Sequence, residues 1–153
     1  MNIKPSVLIT GASSGIGATY ADRFARRGHN LVLVARDIAR MEALTTRLRE
    51  ENNITIDIIK ADLTQPNELA VVENRLRDDS QIGILINNAG ASLGGNFIEQ
   101  TTDDIERLVT LNTTALVRLA SAVAPRRTQT GQGAIINISS AVTLMPEFGL
   151  SVY

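Results

Sequence analysis

The sequence predicts an α/β fold, a doubly wound parallel sheet with helices on both faces in three layers (α/β/α). Three observations carry that expectation. Short runs that are apolar almost throughout, instead of alternating, read as strands buried on both faces, the habit of parallel sheets. Those runs alternate with longer amphipathic stretches, which is the βαβ order. The first run leads straight into a glycine-rich turn that opens a helix.

The expected strands are Ser6–Thr10, Leu31–Ala35, Ile54–Lys60, Ile82–Asn87 and Ala134–Ser139. Between the first two, Ile16, Tyr20 and Phe24 recur every fourth residue, Asp22, Arg23, Arg26 and Arg27 take the other side, and Gly28 stops the helix. Arg40 to Glu51 reads as a second helix with Met41, Leu44 and Leu48 as its apolar stripe. A third starts at Thr64-Gln65-Pro66, a cap followed by proline in the first turn. The fourth starts near Thr102-Asp103-Asp104 and is expected to run to Ala124, with Pro125 as its end. Right-handed crossovers then wind the five strands into one sheet. No linker, repeat or low-complexity segment interrupts residues 1–153, which read as one dinucleotide-binding domain.

Composition narrows the function. The chain has 153 residues, long enough for one domain with a core, and 44% of them are apolar. A net charge of −1 gives no electrostatic case for nucleic acid or an anionic membrane. There are no cysteines, so thiolate chemistry is excluded, and no metal-ligand cluster is evident. The start, Met1-Asn2-Ile3-Lys4-Pro5, lacks the apolar core of a signal peptide. The uncharged stretch from Thr128 to Pro146 is too polar to span a membrane. A soluble, cytoplasmic protein is expected.

Chemistry concentrates after the first strand, in Thr10-Gly11-Ala12-Ser13-Ser14-Gly15-Ile16-Gly17. Gly11 permits a tight turn, Gly15 lets backbone approach a pyrophosphate, and Gly17 lets helix and strand pack closely. The helix N-terminus offers free N–H groups and a positive dipole end to phosphate. Arg36 lies 19 residues beyond Gly17, at the end of the second strand. An acidic residue near that place binds ribose hydroxyls, whereas an arginine accommodates a 2′-phosphate. Arg36 therefore points to NADP(H), through the bidentate donors of guanidinium. Asp37 leaves NAD(H) open, since a shift of one position would put a carboxylate at the ribose. Asn87 and Asn88, before Ala89-Gly90, suit either a backbone turn or amides that tie strand ends beside a cofactor. Asn112 falls on the apolar stripe of the fourth helix with Ile105, Leu108, Leu116, Leu119 and Val123. A buried amide there needs partners.

These segments together resemble the short-chain dehydrogenase/reductase family. The T-G-x-x-x-G-x-G loop (Gly11, Ser13, Ser14, Gly15, Ile16, Gly17), Asp62-Leu63, Asn87-Asn88-Ala89-Gly90, Asn112 and Asn137-Ile138-Ser139-Ser140 match its motifs in order across essentially the whole chain. Tyr153 follows Ser140 by 13 residues. The resemblance implies a Rossmann fold with an adenine contact at Asp62 and Leu63. It implies further cofactor contacts at Asn88, Ala89 and Gly90, and a proton-relay water at Asn112. A helix-to-strand packing bond is the other reading of Asn112. It also implies a catalytic pair, Ser140 and Tyr153, with Ser139 as the rival serine.

The activity so implied is NADP(H)-dependent hydride transfer between a nicotinamide and a small carbonyl or alcohol. Tyrosine acts as acid or base and serine steadies the substrate oxygen. A free phenol ionises near pH ~10, too high for base work, and the family lowers it with a lysine just past the tyrosine. The chain shows no such lysine, because Tyr153 is its last residue. The domain is therefore expected to be incomplete at its C-terminus, with two strands of the family's sheet missing and the 153-residue piece inactive by itself. A homodimer or homotetramer is expected of the full-length protein. A non-catalytic nucleotide-binding fragment is the alternative, and an epimerase or dehydratase on the same fold a weaker third. Leu93, Gly94, Leu144, Met145 and Phe148 are candidates for part of a substrate pocket.

Overall fold

The computed structural model describes residues 4–131 and 133–144, without the side chains of 126–130 and 143. Tyr153, Met145 and Phe148 therefore lie outside the described residues. Five parallel strands form one sheet: β1 (Ser6–Thr10), β2 (Leu31–Ala35), β3 (Ile56–Lys60), β4 (Ile82–Asn87) and β5 (Ala134–Asn137), in spatial order β3-β2-β1-β4-β5. The order reverses at β1, so the crevice beside its carboxyl end is the switch point where ligands bind in such sheets. The doubly wound three-layer fold is the one the apolar runs predict.

Every residue of β1 and β2 is buried, whereas β3 and β5, outermost among the described strands, are half-buried. Alternate side chains serve two cores. Val7, Ile9, Leu31 and Leu33 meet helices α1 (Gly15–Ala25) and α2 (Ile38–Glu51) through Ala21, Ala25, Met41 and Leu48. Leu8, Val32, Val34 and Leu85 point the other way. They meet α3 (Pro66–Asp78) through Leu69, Val72 and Leu76, and α5 (Leu116–Thr130) through Leu119 and Val123. Each such branched side chain contributes about 1.5–3 kcal/mol relative to exposure.

Several boundaries differ from the sequence reading, each for a physical reason. β3 starts at Ile56 because Ile54 is still in the turn, its N–H donating to the Asn52 carbonyl. β5 ends at Asn137, after one last bond from Ile138 N–H to the Asn87 carbonyl. The core face of α1 is Gly17, Ala21 and Ala25, while Ile16 is 55% exposed and Tyr20 and Phe24 are half-buried. Small residues win because this helix lies against the sheet at the glycine loop. α2 begins earlier than expected, at Ile38, because Asp37 caps it by accepting from the Arg40 N–H at 3.0 Å.

The fourth predicted helix is a composite rod: α4 (Thr102–Val109), a π-helical segment at Thr110–Ala115, and α5. Pro125 does not end it, and α5 continues to Thr130. The proline costs one backbone bond to the Ser121 carbonyl, but both residues are exposed, so water replaces it. Thr102–Pro125 is long and apolar enough to cross a membrane by length and composition alone. Leu108, Ala115, Leu119 and Val123 of this rod are buried within the molecule. Glu73 of α3, nearly buried, accepts from Arg118 of α5 at 2.6 and 2.7 Å, which pins the rod to its neighbour.

Candidate functional site

A cleft of about 810 Å³ opens at the carboxyl ends of the strands. Gly11, Ser13, Ser14, Gly15, Ile16, Arg36, Asp62, Leu63, Asn88, Ala89 and Gly90 all line it. The remaining cofactor candidate, Gly17, sits beneath the loop. A Cβ on Gly17 would come within 2.3 Å of the Gly11 carbonyl oxygen, so only glycine fits. Gly11 and Gly15 adopt φ of 64° and 54°, the left-handed region that glycine enters freely. A Cβ on Gly15, which lines the cleft, would meet nothing within 4 Å.

The loop is buckled to β4 by two residues. The buried Thr10 hydroxyl accepts from the N–H groups of Asn88 and Ala89, both at 3.0 Å, and donates to the Ile86 carbonyl at 3.4 Å. The Asn88 amide donates to the carbonyls of Thr10 and Gly11 at 3.0 and 3.2 Å. Of the two readings of the asparagine pair, the structure shows the tie between strand ends. Asn87 is buried and donates to Asn137 Oδ1 at 3.0 Å and to the Leu116 carbonyl at 3.3 Å. The part played by Thr10 was missed from sequence, although a threonine ending a fully buried strand needs a partner.

α1 starts at Gly15 with no side-chain cap from Ser14 and no acidic residue in its first turn. Its first N–H groups and positive dipole end thus face the cleft uncompensated, the arrangement that suits phosphate. At the other end of the cleft, Arg36 is exposed and forms no ion pair among the described residues. Asp37 is committed elsewhere: it caps α2 and pairs with Arg40 Nε at 3.3 Å. Asp62 Oδ1 accepts from the Thr64 N–H and hydroxyl at 3.0 and 2.7 Å. Burial pushes the Asp62 carboxyl up. The two Thr64 bonds and the charges of Arg36 and Arg107 outweigh that, and the group titrates below its usual 3.8.

Asn112 lies in the π-helical segment and clamps the chain after Gly90. Its Oδ1 accepts from the Ala91 N–H at 3.0 Å and its Nδ2 donates to the Ala91 carbonyl at 2.8 Å. The expected helix-to-strand packing bond is made instead to the loop that follows β4. Ser140 is half-buried just past β5, and its Oγ accepts from Val142 N–H at 3.2 Å. Of the substrate-pocket candidates, Leu93 lines the cleft and Leu144 is 83% exposed. Sequence reasoning also missed Arg40, Asp104, Arg107, Leu108 and Leu111 on the cleft wall. Leu108 was legible only as core, and the helix carrying these last four has no motif of its own before Asn112.

A glycine-floored, phosphate-ready crevice at the switch point agrees with the comparison to known families. The model for "short chain dehydrogenase" matches residues 5–153. The chain belongs to the short-chain dehydrogenase family. Among solved structures it is similar to the bulky-bulky ketone specific alcohol dehydrogenase from Comamonas testosteroni, with 62% identity and a TM-score of 0.97 over 99% of this chain and 61% of that one. It is also similar to a short-chain dehydrogenase from Sphingobium yanoikuyae in complex with NADPH, with 65% identity and a TM-score of 0.95 over 97% of this chain and 59% of that one. Human 17-beta-hydroxysteroid dehydrogenase type 3 is 33% identical over 91% of this chain and 45% of its own length. The chain thus spans less than half of such curated relatives and about three-fifths of the solved ones.

Proposed function

We propose that this chain forms the cofactor-binding part of an NADP(H)-dependent oxidoreductase that moves a hydride between the nicotinamide and a ketone or secondary alcohol. The observation that carries the cofactor choice is the division of labour at the end of β2. Asp37 is held as a helix cap, while the adjacent Arg36 lines the cleft with its guanidinium donors uncommitted among the described residues. A guanidinium there favours a 2′-phosphate over bare ribose hydroxyls. The fit to a dinucleotide rests on the open space above Gly15 and the uncapped start of α1. The NADPH bound to the similar Sphingobium protein supports the same reading.

When bound, the cofactor supplies or takes the hydride. The residues of this chain do the rest. Gly11, Ser13, Ser14, Gly15 and Ile16, lying over Gly17, hold the pyrophosphate. Asp62 and Leu63 take the adenine end, and Asn88, Ala89 and Gly90 flank the ribose. Asn112 sets the position of the chain after Gly90 through its two bonds to Ala91. Ser140 steadies the substrate oxygen and Tyr153 exchanges its proton. A ketone with two bulky substituents is the first substrate class to assay, given the specificity of the similar Comamonas enzyme. A homodimer or homotetramer is proposed for the full-length protein, as the resemblance to the family implies. The full-length protein should oxidise NADPH in the presence of such a ketone, and Tyr153→Phe should abolish that turnover. Cofactor binding without turnover on any ketone or alcohol would instead favour a nucleotide-binding role.

A further inference from the structure

The adenosine end of the cleft holds a cation that the family motifs do not include. Arg107 projects from α4 into the cleft, on the same wall as Leu108 and Leu111. It is exposed, and its guanidinium makes no hydrogen bond or ion pair among the described residues. The carboxylate three residues before it, Asp104, is occupied by the Thr101 hydroxyl at 2.6 Å. Arg107 still lies close enough to Asp62 for its charge to act there, as does Arg36.

We propose that Arg107 is an adenine ligand: its guanidinium lies over the base and closes the adenosine end of the cleft opposite Arg36. This rests on the dinucleotide reading above. The two arginines differ in company. Arg36 stands among polar groups, beside Asp37, Arg40 and the start of α2, which suits a phosphate. Arg107 comes from the same helical rod as Leu108 and Leu111, which also line the cleft, and such apolar company suits the flat face of a base and leaves a dianion poorly solvated. A guanidinium is planar, weakly hydrated and stacks on aromatic rings, so it covers adenine while its edge stays in water.

The test is fluorescence titration of NADPH and NADH with the full-length protein and its Arg107→Ala and Arg107→Lys variants. Arg107→Ala should raise Kd for both cofactors by the same factor, roughly five- to tenfold. Arg107→Lys should recover little of it, since an ammonium does not stack as a plane. A loss confined to NADPH would assign Arg107 to the 2′-phosphate and overturn the proposal. So would full rescue by lysine, or no change at all. Failure of the unmodified protein to bind either cofactor would sink the dinucleotide reading itself, a result separable from any behaviour of the variants.

Discussion

Two glycines in one loop should fail in different ways when each is given a methyl group. In Gly17→Ala the new Cβ would lie 2.3 Å from the Gly11 carbonyl oxygen and 2.6 Å from Asn88 Nδ2. Both are far inside contact distance, so α1 must back away from the loop and the Asn88 bond to Gly11 breaks. Overpacking costs about 1–3 kcal/mol and the lost bond about 1 kcal/mol. In Gly15→Ala nothing lies within 4 Å, and the penalty is the φ of 54° alone. That amounts to about 1–2 kcal/mol, partly offset by the stiffer unfolded chain. Thermal unfolding should therefore separate the pair: a drop of ~2–4 °C for Gly15→Ala and two to three times that for Gly17→Ala. Cofactor titration should reverse the emphasis. Gly15→Ala, nearly intact as a fold, should lose at least ~10-fold in NADPH affinity, about 1.4 kcal/mol, because its methyl projects into the cleft. Unchanged NADPH binding by Gly15→Ala would refute the placement of the pyrophosphate over this loop. Equal instability of the two variants would refute the packing argument.

Other perturbations reach the same loop and its rim. Thr10→Val keeps shape but strips the acceptor from the N–H groups of Asn88 and Ala89. Each orphaned group costs about 1–3 kcal/mol, so denaturant unfolding should show a loss of several kcal/mol; a loss below ~1 kcal/mol would contradict the buckle. Asp62 should contribute stability that is complete above its usual 3.8 and fades as pH falls through its depressed folded value. Asp62→Asn should accordingly flatten the acid limb of a stability–pH curve below about pH 4, and an unaltered acid limb would count against the Thr64 and arginine contacts. Asp37→Ala removes the cap of α2 and should cost about 1 kcal/mol. It should spare the preference for NADPH over NADH, and a loss of affinity confined to NADH would mean that the carboxylate does reach the ribose site.

The fold was legible because its signals are local and agree with one another. Strands β1, β2 and β4 are buried on both faces, so their apolar runs needed no partner to be recognised. The glycine loop was readable for the same reason, since each glycine answers a backbone demand at its own position. What the sequence concealed depends on contacts between distant segments. Thr10 and Asn88 are 78 positions apart, and only the sheet order β1-β4 brings them together. The stripe Ile16, Tyr20 and Phe24 suggested a core face for α1, but the close approach over the loop selects Gly17, Ala21 and Ala25 instead. The rod from Thr102 continues past Pro125 because that proline is exposed, which periodicity does not reveal. By spacing Arg36 was favoured, with Asp37 left open as an alternative. The hydrogen bond from Arg40 N–H to Asp37 separates them.

That separation sets the most direct test of the account. NADPH and NADH should be titrated in parallel against the full-length protein and its Arg36→Asp variant, at one fixed ionic strength. The unmodified protein should bind NADPH at least ~10-fold more tightly than NADH, and Arg36→Asp should erase or reverse that preference while leaving NADH affinity within a few-fold. Equal affinities for the two cofactors in the unmodified protein, or an equal loss of both in the variant, would contradict the assignment of Arg36 to a 2′-phosphate and with it the proposed NADP(H) dependence.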